Sequence, residues 1–229
     1  MTMRIRIRHE TFGAIFDLVY LVLMTNILLV LGCLPLVAGL LTTDPAQSWP
    51  LLALVAPLCA PGVCAAFAVL AAFTADHSTP VAATFVRAWR ASARRALALG
   101  AITTAALVVL AVDARAAWGH PIGAAAIPVL LVAMILIVAT ALLAAVVLAE
   151  RPTVRLRDAG RVCLYLAVRR WYLTLGSLAV LAMLQTLLAS HPAIALGLAA
   201  APLLYVVWAN SRFTLNAALG LAPGLALQS

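Results

Sequence analysis

A few polar side chains fall inside long apolar segments, and their types are the ones that could carry chemistry in this chain. Asp17 lies one to two turns inside the first apolar segment, Asn26 lies near the middle of that segment, and Gln185 lies in the fifth segment. An ionisable group at such a depth is costly, so it typically marks a proton or cation site or a partner for a buried arginine. The alternative for Asp17 is a carboxylate at head-group level that pairs with a surface arginine.

The second apolar segment contains helix-disturbing residues, Pro57, Pro61 and Gly62. Proline removes a backbone donor and clashes with the preceding turn, so this segment is predicted to be kinked or broken. A broken helix frees backbone carbonyls, which transporters use for ion sites. A plain kink is the alternative. Asn26 and Gln185 have a similar alternative as interhelical hydrogen bonds, each worth about 0.6–2 kcal/mol.

Signatures of catalysis and of metal binding are missing from the sequence. His9-Glu10 is not followed by the second histidine of an H-E-x-x-H zinc motif, and neither a glycine-rich phosphate loop nor G-x-S-x-G occurs. The four cysteines form no C-x-x-C pair, which is typical of small buried apolar residues. We therefore predict a non-enzymatic protein with no catalytic residue, no metal site and no cofactor.

The composition indicates which elements must position the polar residues. The 229 residues are 66% hydrophobic and 10% charged, with a mean hydropathy of +1.13, whereas a soluble domain has about 25% charged residues. We predict one all-α integral membrane domain over residues 1–229. Its six transmembrane helices are expected at about 12–41, 51–73, 97–112, 122–148, 171–188 and 193–210, since about 20 apolar residues span a bilayer.

The basic residues predict the orientation. All 15 are arginines, and all but Arg115 lie on the same side of the alternating apolar segments. Because basic loops stay in the cytoplasm, both termini are expected there, in a bacterial cytoplasmic membrane. The net charge of +8 is therefore expected to meet anionic lipid head groups, and this placement argues against nucleic acid as a partner.

Two cytoplasmic segments, at about 79–96 and 152–168, have the pattern of amphipathic helices. The first has an apolar face from Val81 to Ala96 that includes Trp89, and we expect it to lie along the inner membrane surface with that face down. Their similar outlines leave open a duplicated three-helix unit, as in many transporters. The residues expected to contact lipid or a partner at the inner face are Arg87, Trp89, Arg90, Arg94, Arg95, Arg157, Arg161, Arg169 and Arg170.

Several short motifs occur in order along most of the chain. Residues 26–37 resemble an "N-L-L…L-P-V-V" signature in a first helix, residues 61–67 a "G-P-A-x-A-A-L/Y" segment, residues 84–90 an "F-x-x-F-W-R/K" cytoplasmic helix, and residues 161–174 a later basic loop. In these motifs the chain resembles the YesL-like family, bacterial polytopic membrane proteins of unknown function. The genes of that family often lie beside genes for carbohydrate uptake, and it has no established catalytic or binding residues.

The resemblance implies a function of the accessory type. The leading hypothesis is a non-enzymatic interaction partner of a carbohydrate ABC transport system, such as its sugar permease. One alternative is an independent transporter or channel with a path through Asp17, Asn26 and the broken second helix. Another is a subunit like an ABC permease, although Asp158-Ala159-Gly160 only weakly resembles the coupling motif. An enzyme acting on lipid-linked sugar ranks last, because it needs an acidic cluster. Abundant small residues also favour homo-oligomerisation.

Overall fold

The computed structural model describes residues 3–76, 79–119, 123–151 and 153–219, so the predicted boundary residues 122 and 152 lie outside it. Nearly all of the described chain is helical and it contains no strand. The elements in chain order are α1 Met3–Gly32, α2 Leu34–Thr42, α3 Pro45–Val55, a 3₁₀ turn Ala56–Cys59, α4 Ala60–Ala75, α5 Val81–Ala117, α6 Gly123–Glu150, α7 Leu156–Arg169, α8 Trp171–Ser190, α9 Pro192–Ile194, a π turn Ala195–Ala199 and α10 Ala200–Leu219.

The long helices have the length and composition of membrane spans. Among the described residues, five stretches are long and apolar enough to cross a bilayer, and the bent pair of α1 and α2 makes up to a sixth. The five are Gln47–Ala75, Val81–Ala117, Ala125–Glu150, Trp171–Ser190 and Pro192–Leu215. The protein is therefore an all-helical polytopic membrane protein, as its composition predicted.

The first predicted helix is bent rather than continuous. The axes of α1 and α2 differ by 74°, with the break next to Pro35, whose missing N–H interrupts the helical hydrogen bonds. α1 touches α4 at this point, since a Cβ on Gly32 would lie 3.3 Å from the Gly62 Cα. The chain therefore turns where two glycines allow the helix backbones to approach.

The predicted break in the second span lies at Pro57, within the 3₁₀ turn between α3 and α4. α5 approaches this turn closely, because a Cβ on Gly100 would lie 2.9 Å from the Ala60 Cβ and 3.1 Å from the Pro57 carbonyl oxygen. The backbone of α5 at Gly100 thus packs directly against the break in the second span.

The first amphipathic segment and the third span form a single helix, which differs from the two separate helices predicted. α5 runs without interruption for 37 residues, or about 55 Å at 1.5 Å per residue, because residues 96 and 97 include no helix breaker. Val81, Phe85, Ser92 and Ala96 are buried, and three of them belong to the protein core. Their face therefore packs against the protein, whereas Trp89 is 41% exposed.

The core is concentrated in one half of the bundle. α4 provides its most buried stretch, from Cys64 to Leu70. The end of α6, the inward side of α7 and the middle of α10 complete the same cluster. α7 packs mainly on α6, so a helix too polar to span is held against the ends of the spans.

Candidate functional site

Asn26 forms the most specific polar contact in the spans. Its side chain is 1% exposed. The amide nitrogen Nδ2 donates to the Gly197 carbonyl oxygen at 2.9 Å, and the amide oxygen Oδ1 accepts from the Ala201 N–H at 2.7 Å. Both ends of the carboxamide are thus satisfied by backbone groups that lie more than 170 residues away along the chain.

The two groups bonded by Asn26 are ones that an α-helix would join to each other, since they lie four residues apart. Here the helix widens into the π turn Ala195–Ala199, in which the Ala200 N–H donates to the Ala195 carbonyl five residues back. The Asn26 amide is therefore inserted between the Gly197 carbonyl and the Ala201 N–H, and it replaces the direct backbone hydrogen bond that these two groups would form in an α-helix. It acts as an interhelical hydrogen bond, one of the two roles expected from the sequence.

The other polar candidates in the spans are not gathered around Asn26. Asp17 is exposed on α1, and Gln185 is exposed on α8. Within the described part of the chain, no arginine pairs with Asp17, and Gln185 makes no hydrogen bond across helices. These three residues therefore do not line a common path.

The residues of the broken helix also serve packing in this structure. Pro61 and Gly62 are buried at the start of α4. The Cys33 thiol lies 4.0 Å from the Cys59 carbonyl oxygen, at the limit for a hydrogen bond to sulfur. Thus α1, α4 and α5 meet around the 3₁₀ turn through small residues.

The arginines expected at the inner face are mostly exposed. On α5, Arg87, Arg90, Arg94 and Arg95 are exposed, as are Arg157, Arg161 and Arg169 on α7. Arg170 is half-buried between α7 and α8. The exposed side chains of Arg87, Arg90 and Arg94 on α5, and those of Arg157 and Arg161 on α7, are accessible to groups outside the chain.

Three arginines pair with aromatic rings where α6, α7, α8 and α10 come together, and we call this region the basic end. The Arg169 guanidinium lies 5.8 Å from the Tyr165 ring centroid, Arg170 lies 5.9 Å from Phe213, and Arg212 lies 5.1 Å from Trp208. Arg212 also approaches Glu150, with 3.6 Å between Nε and Oε1. Cation–π contacts of this kind contribute about 0.5–2 kcal/mol each.

A second amide joins two spans and was missed from the sequence. Asn210 Nδ2 donates to the Leu173 carbonyl oxygen and to the Ser177 hydroxyl at 2.6 Å, which ties α10 to α8. A cavity of about 10 Å³ lies between α6, α8 and α10, and its lining includes Thr174, Ser177, Ser211 and Thr214. That volume suits a single water molecule. The spacing of Asn210, Ser211 and Thr214 on one helix face was the available signal.

Two larger cavities are mainly apolar. One of about 530 Å³ lies between α1, α4 and α10 and includes Leu18, Phe73 and Tyr205 in its lining. The other, of about 950 Å³, lies between α3, α5 and α6 and includes Arg115 with two tryptophans. No group of three potential metal ligands occurs among the described residues. The mainly apolar lining of these two cavities favours binding of apolar or amphipathic groups.

Comparisons of the chain with protein-family models, with curated proteins and with solved structures found no match.

Proposed function

We propose that the chain crosses a bacterial cytoplasmic membrane six times, with both termini in the cytoplasm. The support is the arginine asymmetry, because basic segments resist translocation. The basic end then faces the anionic cytoplasmic leaflet. The opposite side, with α3, the C-terminal end of α5 and the N-terminal end of α6, faces outward. In this arrangement the two arginine-bearing segments are cytoplasmic, with α7 at the membrane surface and the first half of α5 extending from it.

Labelling of intact cells tests the orientation. Single-cysteine variants Gln47→Cys, Trp118→Cys and Arg155→Cys place a thiol at exposed positions, in a background without native cysteines. A membrane-impermeant maleimide is expected to label positions 47 and 118 in intact cells, and position 155 only after lysis. The reverse pattern would show that the basic end faces outward.

We further propose that the protein is a non-enzymatic accessory subunit that binds an integral membrane partner through α7. The observation that carries this proposal is the outward side of α7, where Val162, Leu164, Tyr165 and Val168 are 54%, 44%, 60% and 58% exposed. Exposed apolar groups gathered together mark interaction sites. The exposed arginines of the same helix would fix the orientation at the membrane surface. The resemblance to the YesL-like family favours the sugar permease of an ABC system as the partner.

Purification from the native host in mild detergent tests this proposal. The tagged protein is compared with Tyr165→Glu, which charges the apolar side of α7, and with Asp158→Ala, an exposed control on the same helix. We expect a sugar permease to be recovered in near-stoichiometric amount with the wild type and the control, and to be lost from Tyr165→Glu. Equal recovery with all three proteins would exclude α7 as the contact.

Recovery of the protein alone would contradict the accessory role. The independent transporter would then be the next hypothesis, and flux into liposomes would test it, with Asp17→Asn as the diagnostic variant. A homo-oligomer would be recognised in the same preparation by its mass.

A further inference from the structure

A cavity at the end of the molecule opposite the basic end combines one arginine with two tryptophans. Its volume is about 950 Å³, within the range of about 300–1,000 Å³ that is usual for ligand sites. Helices α3, α5 and α6 form it, and its lining includes Trp49, Val112, Arg115, Trp118, Ile127 and Leu131. We call it the Arg115 pocket.

Arg115 is the exception to the charge pattern of the chain. It lies in the last turn of α5, in a connection on the side that holds no other basic residue. It is exposed and makes no ion pair or side-chain hydrogen bond with any described residue. Asp113, two positions earlier, lies on the other side of the helix, because two residues turn a helix by about 200°. Arg115 thus lines the cavity without a carboxylate partner from α5.

The end of α5 places the aromatic wall beside this cation. The Trp118 N–H donates to the Arg115 carbonyl oxygen at 3.3 Å, and the following Gly119 has φ +88°. α5 ends at Ala117, and Trp118 is already extended, with φ −65° and ψ 127°. The positive φ of Gly119 is a conformation that glycine adopts without steric cost. Trp49 of α3 also lines the cavity and is 51% exposed. Tryptophans at span ends typically lie at the depth of the lipid head groups.

We propose that the Arg115 pocket binds a phospholipid with a net anionic, phosphate-bearing head group. The planar guanidinium suits two parallel hydrogen bonds to a phosphate group. The indoles lie at the glycerol level, and Val112, Ile127 and Leu131 contact the upper acyl chain. This site is separate from α7, so it is independent of the proposed accessory role.

Native mass spectrometry of the delipidated full-length protein tests the proposal. The probes are phosphatidylglycerol, phosphatidylethanolamine and inorganic phosphate. We expect one preferred phosphatidylglycerol per chain, weaker retention of phosphatidylethanolamine and none of inorganic phosphate alone. Arg115→Gln is expected to weaken phosphatidylglycerol binding about tenfold, the usual effect of losing a charged hydrogen bond.

The controls separate this site from general lipid binding. Arg151→Gln removes an exposed arginine at the other end and should leave the preferred adduct unchanged, whereas Trp118→Ala should reduce the retention of both lipids. Thermal midpoints verify that each variant is folded, and Arg115→Lys serves as a second variant with intermediate affinity. Equal phosphatidylglycerol binding by the wild type and Arg115→Gln would overturn the proposal, as would equal retention of both lipids or binding of phosphate alone.

Discussion

The carboxamide of Asn26 has a donor nitrogen and an acceptor oxygen side by side, as in a peptide group, and the π turn offers the nitrogen one carbonyl and the oxygen one N–H. The Gly197 carbonyl and the Ala201 N–H are thereby satisfied at a depth where water cannot reach them. The sequence placed Asn26 at mid-span, but it could not identify its partners. They are backbone groups of a glycine and an alanine, which carry no pattern of their own.

Replacement of Asn26 by leucine is expected to destabilise the protein. Asn26→Leu leaves the Gly197 carbonyl and the Ala201 N–H without their side-chain partner, at a cost of about 1–3 kcal/mol. Thermal unfolding in detergent measures the loss. Gln185→Leu is the matched control, since Gln185 is exposed and should change the midpoint little. An Asn26→Leu protein as stable as the wild type would contradict the structural role of the amide.

Cys163 on α7 is expected to resist alkylation in the folded protein. Burial raises its pKa from 9.0 to about 12, so the reactive thiolate is suppressed near pH 8. Because the folded form holds the proton more tightly, this stabilising contribution is complete below pH 9 and declines as the pH rises from 9 toward 12. A variant retaining only Cys163 should label with maleimide only after denaturation. Val162→Cys in a cysteine-free background, at a 54% exposed position, should label at once.

At the scale of elements, α5 departs most from what the sequence predicted. The pattern of residues 81–96 predicted an amphipathic helix, but amphipathicity does not distinguish a lipid surface from a protein surface. The apolar face of residues 81–96 packs against α4 and α1. The positions of these two helices depend on close backbone contacts at Gly32, Gly62 and Gly100. Such contacts arise between distant segments, so no local pattern reveals them.

Two substitutions on α5 separate packing against protein from docking on lipid. Phe85 is 5% exposed and Trp89 is 41% exposed. Phe85→Ala is expected to cost about 3 kcal/mol or more, because it leaves a cavity in the core. Trp89→Ala should cost less than half as much in thermal unfolding. A larger effect at Trp89 would instead support a helix that lies with its tryptophan in the membrane.

The crossing of α5 and α4 gives a prediction with a matched control. Gly100→Ala would place its Cβ 2.9 Å from the Ala60 Cβ and 3.1 Å from the Pro57 Cα, and overpacking of this kind costs about 1–3 kcal/mol. Gly160→Ala has nothing within 4 Å and should stabilise α7 by about 0.5–1 kcal/mol through its helix propensity. We expect the thermal midpoint to fall for Gly100→Ala and to rise for Gly160→Ala, relative to the wild type. A higher midpoint for Gly100→Ala would show that the two helices can move apart to accommodate the methyl group.

At the scale of the whole molecule, the sequence was sufficient for the fold class. The apolar segments are long and carry too little charge for a soluble protein. Stretches such as Gln47–Ala75 and Ala125–Glu150 therefore have the length and composition of membrane spans. The sites were less accessible to prediction. Arg115 was visible as an exception in the charge pattern, but its pocket with Trp49 needs α3 and α5 to meet, and the Asn210 contact needs α8 and α10. These helix pairs form through tertiary packing between distant segments, and no local sequence pattern predicts which helices will be neighbours.

The π turn also has a consequence for chain length. A turn with bonds to the fifth residue back contains one residue more than an α-helical turn, so the last span carries a surplus residue opposite Asn26. Deletion of Leu198, which is 65% exposed, should convert the π turn into a regular α-helical turn. The residues before and after it should then stay on the same faces of the helix. The Ala201 N–H would regain a partner within its own helix, and the amide of Asn26 would lose one. Leu198 deletion and Asn26→Leu should therefore destabilise the protein together by less than the sum of their separate effects, because insertion and amide form one thermodynamic unit.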